Sequence, residues 1–249
     1  MPGPHFAPGI ASMTWKKLAA LPEHKFVGAY GIQYWAIREG KVWHQGRKLA
    51  AADPQTFEFC EEQYFLGRDA SCIYHAWSRL PKIDRDSFRR VGLYWQDRQH
   101  VYFEYETSFK ALQDVDPGSF RHVGGSYGAD DHSAWYYGRK MSGNPRCRDL
   151  RVIAENDLYA CDGEAVYYDG KPLKGVLAAQ WRILTEEFSG DGKNLYFAER
   201  KLGRADFATW QHVHGSWSKD QHRVFHMNLV MKDLAPEDFD ETQARQLSR

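Results

Sequence analysis

The stretch that decides the fold is RVIAENDLYACDGEAVYYDGKPLKGVLAAQW, from Arg151 to Trp181. RVIAE alternates in side-chain character and reads as a strand, and LYACD reads as a second. The pair Asp162-Gly163 makes a tight turn, AVYY is a third strand, and Asp169-Gly170 turns again into KPL. The product is a meander of very short antiparallel strands. Its central phrase returns along the chain: REGKVWH from Arg38, DASCIYH from Asp69, DRQHVYF from Asp97, DHSAWYY from Asp131, DGEAVYY from Asp162, DGKNLYF from Asp191 and DQHRVFH from Asp220. Seven recurrences at a spacing of 28 to 34 residues describe one small supersecondary unit copied in tandem, each copy burying its core against the next.

The aspartate at the head of each phrase suits a turn, because its carboxylate can accept from backbone amides two residues on. Only the first copy departs, with Arg38. After the last strand several copies carry an acid, often a proline, and then an aromatic residue: ADPQTF to Phe57, IDRDSF to Phe88, VDPGSF to Phe120 and LAPEDF to Phe239. Aspartate as N-cap with proline behind it starts one helical turn. The turn delivers an aromatic column of Phe26, Phe57, Phe88, Phe120, Leu150, Trp181, Trp210 and Phe239, which reads as the interface between copies. At about 1.5 to 3 kcal/mol for each buried ring, such a column would dominate stability. Two further columns follow the aspartate, Trp43, Tyr74, Tyr102, Tyr136, Tyr167, Tyr196 and Phe225, and beside it His44, His75, Phe103, Tyr137, Tyr168, Phe197 and His226. Neighbouring strand residues face opposite ways, and apolar residues on both sides leave open which face is wetter.

The predicted fold class is therefore all-β, seven tandem repeats of about 31 residues, each of short antiparallel strands plus a helical turn. Such units form either an open curved array or a propeller-like ring; a repeat this short, beside the roughly 40 residues of common propeller blades, favours the open form. The expected organisation is an N-terminal tail over 1–21, one repeat domain over 22–240 and a C-terminal tail over 241–249. Met13 would serve as a start if MPGPHFAPGIAS were a foreign tail.

Composition narrows the function classes. Lys plus Arg equals Asp plus Glu, 33 against 33 and interspersed, which leaves no electrostatic footprint for nucleic acid or an anionic membrane. Cys60, Cys72, Cys147 and Cys161 show no CxxC spacing and read as isolated thiols of a reducing compartment. With neither a long apolar stretch nor a secretory leader at the start of the numbering, the expected location is cytoplasmic, unless a leader was removed upstream.

The phrase D-x-x-x-hydrophobic-Tyr-aromatic, followed by G-[KR]-x-[LM] and D-P-x-[ST]-F, resembles the DKNYY repeat family. GKVWHQGRKLAAADPQTF (Gly40 to Phe57) and DGEAVYYDGKPLKG (Asp162 to Gly175) carry the resemblance most fully, and it extends over about Phe26 to Phe239. It implies a tandem β-rich bacterial protein. Because such repeats are met near secreted bacterial toxins, it also implies an immunity or partner-binding role. It offers no catalytic residues.

The residues themselves do not point to catalysis either. His212-Val213-His214, with His222 and His226 nearby, is the best metal candidate, but no HExxH or comparable signature accompanies it. There is no GxSxG elbow and no glycine-rich phosphate loop. The chain is expected to be no enzyme, with no cofactor and no metal. Recognition then falls to the places where the repeat breaks its own pattern. Trp77 stands where the first copy has Gly46, and Glu104-Tyr105-Glu106 lengthens the third hairpin, so the expected partner-binding residues are Trp77, Glu104, Tyr105 and Glu106. The expected partner is one protein, a secreted toxin in the most specific form; the alternative is a glycan or cell-envelope binder whose exposed rings stack on sugars.

Overall fold

The computed structural model describes residues 13–105, 108–154 and 156–248. Among the described residues the fold is all-β: seven separate antiparallel sheets, six of four strands and one of five, each with a four-strand meander in chain order, and one short α-helix at the C-terminal end. The clearest copy has the strands read from its sequence, Arg151–Val152, Tyr159–Cys161, Val166–Tyr168 and Lys171–Pro172. Contacts group the chain into two compact units. One holds 1–122, 128–131 and 137–140, the other 123–127, 132–136 and 141–249.

Why the aspartate recurs is visible in its bonds. Asp69, Asp97, Asp130, Asp162, Asp191 and Asp220 are 0 to 3% exposed, although each is a potential anion. A buried carboxylate is tolerated only when its lone pairs are filled. Asp69 Oδ1 accepts from the amides of Ser71 (2.8 Å) and Cys72 (2.9 Å), while Oδ2 accepts from Tyr74 Oη (2.8 Å) and the amide of Asp53 (3.0 Å). Asp97 repeats the set with Gln99, His100, Tyr102 Oη and Asp84, and Asp162 with Glu164, Ala165, Tyr167 Oη and Arg146. All six accept an amide from the preceding linker at 2.8 to 3.1 Å. One carboxylate thus closes the turn of its own repeat and fastens that repeat to the segment arriving from the one before.

The linker answers in kind. Asp53 accepts from the amide of Gln55 and from Thr56 Oγ1, whose oxygen in turn accepts from the amide of Ala70. The same relay runs through Asp84, Ser87 and Arg98, through Asp116, Ser119 and Asp131, and through Asp206, Thr209 and Gln221. After the last strands of the fourth and fifth copies the expected helical turn is a 3-10 helix, Cys147–Asp149 and Ala178–Gln180.

The linker aromatics pack as the column predicted. Phe57 is fully buried between Trp35 (ring centroids 5.0 Å apart) and Tyr74 (5.8 Å), and Trp181 lies between Tyr159 (5.7 Å) and Tyr196 (5.2 Å). Glycine makes the seat for two of them. A Cβ on Gly67 would stand 2.3 Å from Phe57 Cζ, and one on Gly128 would stand 2.6 Å from Phe120 Cζ.

The fourth copy corrects the sequence register by one residue. Asp130, not Asp131, takes the buried position, so Trp135 and Tyr136 occupy the two inner columns and Tyr137 moves out to the turn, at φ 48°. Two adjacent aspartates made both alignments fit the phrase, since each stands five residues before a ring; the buried carboxylate that accepts the Asp116 amide at 2.8 Å is that of Asp130.

The flanks of the array are built in as well. Trp15–Lys17 pairs antiparallel with Glu58–Cys60 as the fifth strand of the second sheet, and the Arg68 guanidinium lies 4.3 Å from the Trp15 ring centre. At the other end Asp240 caps the helix Glu241–Leu247 by accepting from the Gln243 amide, and Trp217 Nε1 donates to Ser248 Oγ. The four cysteines are buried, and no disulfide joins them. Among the described residues no helix is long and apolar enough to cross a membrane. Met1–Ser12 lie outside the described residues.

Candidate binding surface

The third and fourth strands of the second and fourth copies meet at tight turns that carry Trp77 and Tyr137, and in the third copy Tyr105 ends the third strand, paired with Ser108. In the first copy the equivalent turn is Gln45-Gly46, both at positive φ, as a two-residue hairpin with right-handed strand twist requires. Large rings at such tips cannot reach the core, and they stay open to solvent: Trp77 41%, Tyr105 38% and Tyr137 51% exposed. All three belong to the first compact unit.

The rings are held from beneath. Arg47 places its guanidinium 5.1 Å from the Trp77 ring centre, and buried His44 lies 6.2 Å from the same ring. Phe103 contacts both Tyr105 (5.2 Å) and Tyr137 (5.9 Å), and Tyr105 Oη donates to the Tyr137 carbonyl at 3.4 Å. Of the other sequence-expected residues, Glu104 lies within the strand Val101–Tyr105. There its carboxylate accepts from Gln63 Nε2 (2.8 and 3.0 Å) and Trp95 Nε1 (3.1 Å), and pairs with His75 Nε2 (2.8 Å). Glu104 therefore ties the second repeat to the third and positions Tyr105. Glu106 lies outside the described residues.

Electrostatics beneath the tips is that of a closed interior. Burial, followed by the neighbouring His75, pushes the His44 imidazole down to about 4, so it is neutral at pH 7. Burial alone would raise the carboxyls of Asp69, Asp97 and Asp162, but the donated amides and tyrosine hydroxyls outweigh it and hold all three below the usual carboxylate range. Burial pushes the Cys60 thiol up to about 12, far from the range of a nucleophile at neutral pH.

The histidine pair considered as a metal site is separated by a register shift in its strand: His212 faces Ser218 and His214 faces Trp217. His212 Nε2 is bound to the Gly215 carbonyl at 2.8 Å, and the His226 ring stacks on Trp217 at 4.3 Å. Among the described residues no group of three or more His, Cys, Asp or Glu side chains is placed to hold a metal ion.

Two exposed aromatics escaped sequence reasoning. Tyr30, 98% exposed, sits in a turn before the first phrase, where the repeat gives no reference position. Tyr137 was placed in the third column, beside Phe103 and Tyr168, by the one-residue slip; the signal that would have found it is the eight-residue step from Asp130 to Gly138, which matches that from Asp162 to Gly170.

Against known proteins, residues 131–200 match the model of the DKNYY family. The matched stretch runs from the fourth phrase through the sixth sheet, and the recurrent phrase there is similar to that of DKNYY repeats. No curated protein and no solved structure matches the chain.

Proposed function

We propose that this DKNYY repeat chain is a non-catalytic module that binds one protein partner through the tip rings Trp77, Tyr105 and Tyr137, with Arg47 at their edge and Glu104 holding the third hairpin in place. The supporting observation is that three consecutive hairpins carry large exposed rings, Trp77 and Tyr137 in turns that the first copy makes with Gln45-Gly46 and Tyr105 at the end of its strand. Tryptophan, tyrosine and arginine are the side chains that most often anchor protein interfaces, because they offer large area at little cost in conformational entropy. The interior gives complementary support: the buried aspartates and Glu104 spend their lone pairs on internal donors, which leaves the chemistry of this unit on its surface.

In its most specific form the partner is a secreted bacterial toxin that the chain neutralises in the cytoplasm, as the DKNYY resemblance implies. The test is co-purification of the tagged protein from its native host followed by mass spectrometry. A stoichiometric protein partner supports the reading, and a toxin among the recovered chains supports its specific form. Retention on peptidoglycan with no protein partner would replace it with the glycan-binding alternative.

A further inference from the structure

The long third hairpin does more than raise Tyr105. Its extra register pairs, Glu104 with Phe109 and Tyr105 with Ser108, add a phenylalanine to the fourth strand that the three-residue strand Ser78–Leu80 of the second sheet cannot carry. Phe109 shares a sheet face with Tyr102 and Ala111. That face does not close fully against the segment leaving the second sheet. A cleft of about 310 Å³ remains, walled by Leu80, Pro81 and Ile83 on one side and by Tyr102, Phe109 and Ala111 on the other. Arg79, Lys82 and His100 complete its lining, and among the described residues no acidic side chain contributes to it. The carboxylate next to His100 is Asp97, 3.7 Å away, buried and already filled by its four donors.

An apolar cleft near the lower end of small-ligand pocket sizes, about 300 to 1,000 Å³, takes a compact apolar body. Three basic groups, with no acid beside them among the described residues, select the charge that body should carry. We propose that this cleft binds a small amphipathic carboxylate, its apolar part between Ile83 and Phe109 and its carboxylate at Arg79, Lys82 and His100. The site does not depend on the aromatic tips, so it stands or falls apart from the protein-partner reading.

The experiment is calorimetric titration of the full chain at low salt with decanoate, 1-decanol and decylammonium, each kept below its aggregation limit. Decanoate should bind one per chain, about tenfold or more tighter than either comparator, and should weaken as salt screens the exposed cations. The double substitution R79Q/K82Q, on exposed side chains, should remove the preference for decanoate over decanol while leaving the circular dichroism spectrum unchanged. Filling the cleft with A111F should abolish all three. Equal binding of the three probes, no saturation by decanoate up to about 1 mM, or a preference that survives either variant would overturn the assignment.

Discussion

Replacing Asp97 tests the physical core of the fold. The carboxylate is 2% exposed and receives four donors: Gln99 N at 2.8 Å, His100 N at 2.7 Å, Tyr102 Oη at 2.7 Å and Asp84 N at 3.0 Å. Asp97→Ala strands three amides and a phenol. At about 1 to 3 kcal/mol for each stranded group, reduced because water enters and because such losses are not additive, we expect destabilisation of about 3 to 5 kcal/mol. In Asp97→Asn one oxygen still serves Gln99 and His100, but the new amide group opposes Asp84 N–H, so about 1 to 3 kcal/mol is lost. Tyr102→Phe removes one charge-assisted bond and leaves the other three, for about 1 to 2 kcal/mol.

The pH dependence carries a sign. Because the folded Asp97 carboxyl titrates below its unfolded value of about 3.9, its contribution is present above that value and is lost as pH falls through the lower folded one. Urea unfolding followed by tryptophan fluorescence, at pH 7 and again near pH 3, measures both claims. The order Ala, then Asn, then Phe in severity, with the Asn penalty shrinking in acid, is the expected result. An Asn variant as stable as the parent at pH 7, or a penalty unchanged in acid, would refute the reasoning.

Other expectations follow from single contacts. Gly67→Ala drives a methyl into Phe57 and should cost about 1 to 3 kcal/mol, with part recovered in the double variant G67A/F57L, as thermal melting of the four proteins would show. Glu104→Gln replaces an acceptor for Gln63, Trp95 and His75 and should lower stability by about 1 to 3 kcal/mol, read from the urea midpoint. The buried cysteines should react with a thiol reagent only slowly in the native protein and completely in denaturant.

How much of this was legible in the sequence depended on whether the signal repeats. The turn aspartates, the linker aromatics and the four-strand meander recur, so each copy corrects the reading of the others. The second job of the aspartate, its grip on the preceding linker, spans 13 to 16 residues and reads as nothing in a single copy. Trp77 was found because it replaces a turn glycine. Glu104 was read as a tip residue because strand alternation does not tell which of two nearby acids faces a neighbouring repeat. Trp15–Lys17 pairs with a strand more than forty residues away, and three residues hold too little periodicity to reveal it.

The most direct test of the functional account is calorimetry of the co-purified partner against the parent chain and against the variant W77A/Y105A/Y137A, with both chains shown to melt alike. The account predicts a one-to-one complex that the triple variant weakens by about a hundredfold or more, as the removal of clustered aromatic anchors should. Undiminished affinity in a folded triple variant would contradict it.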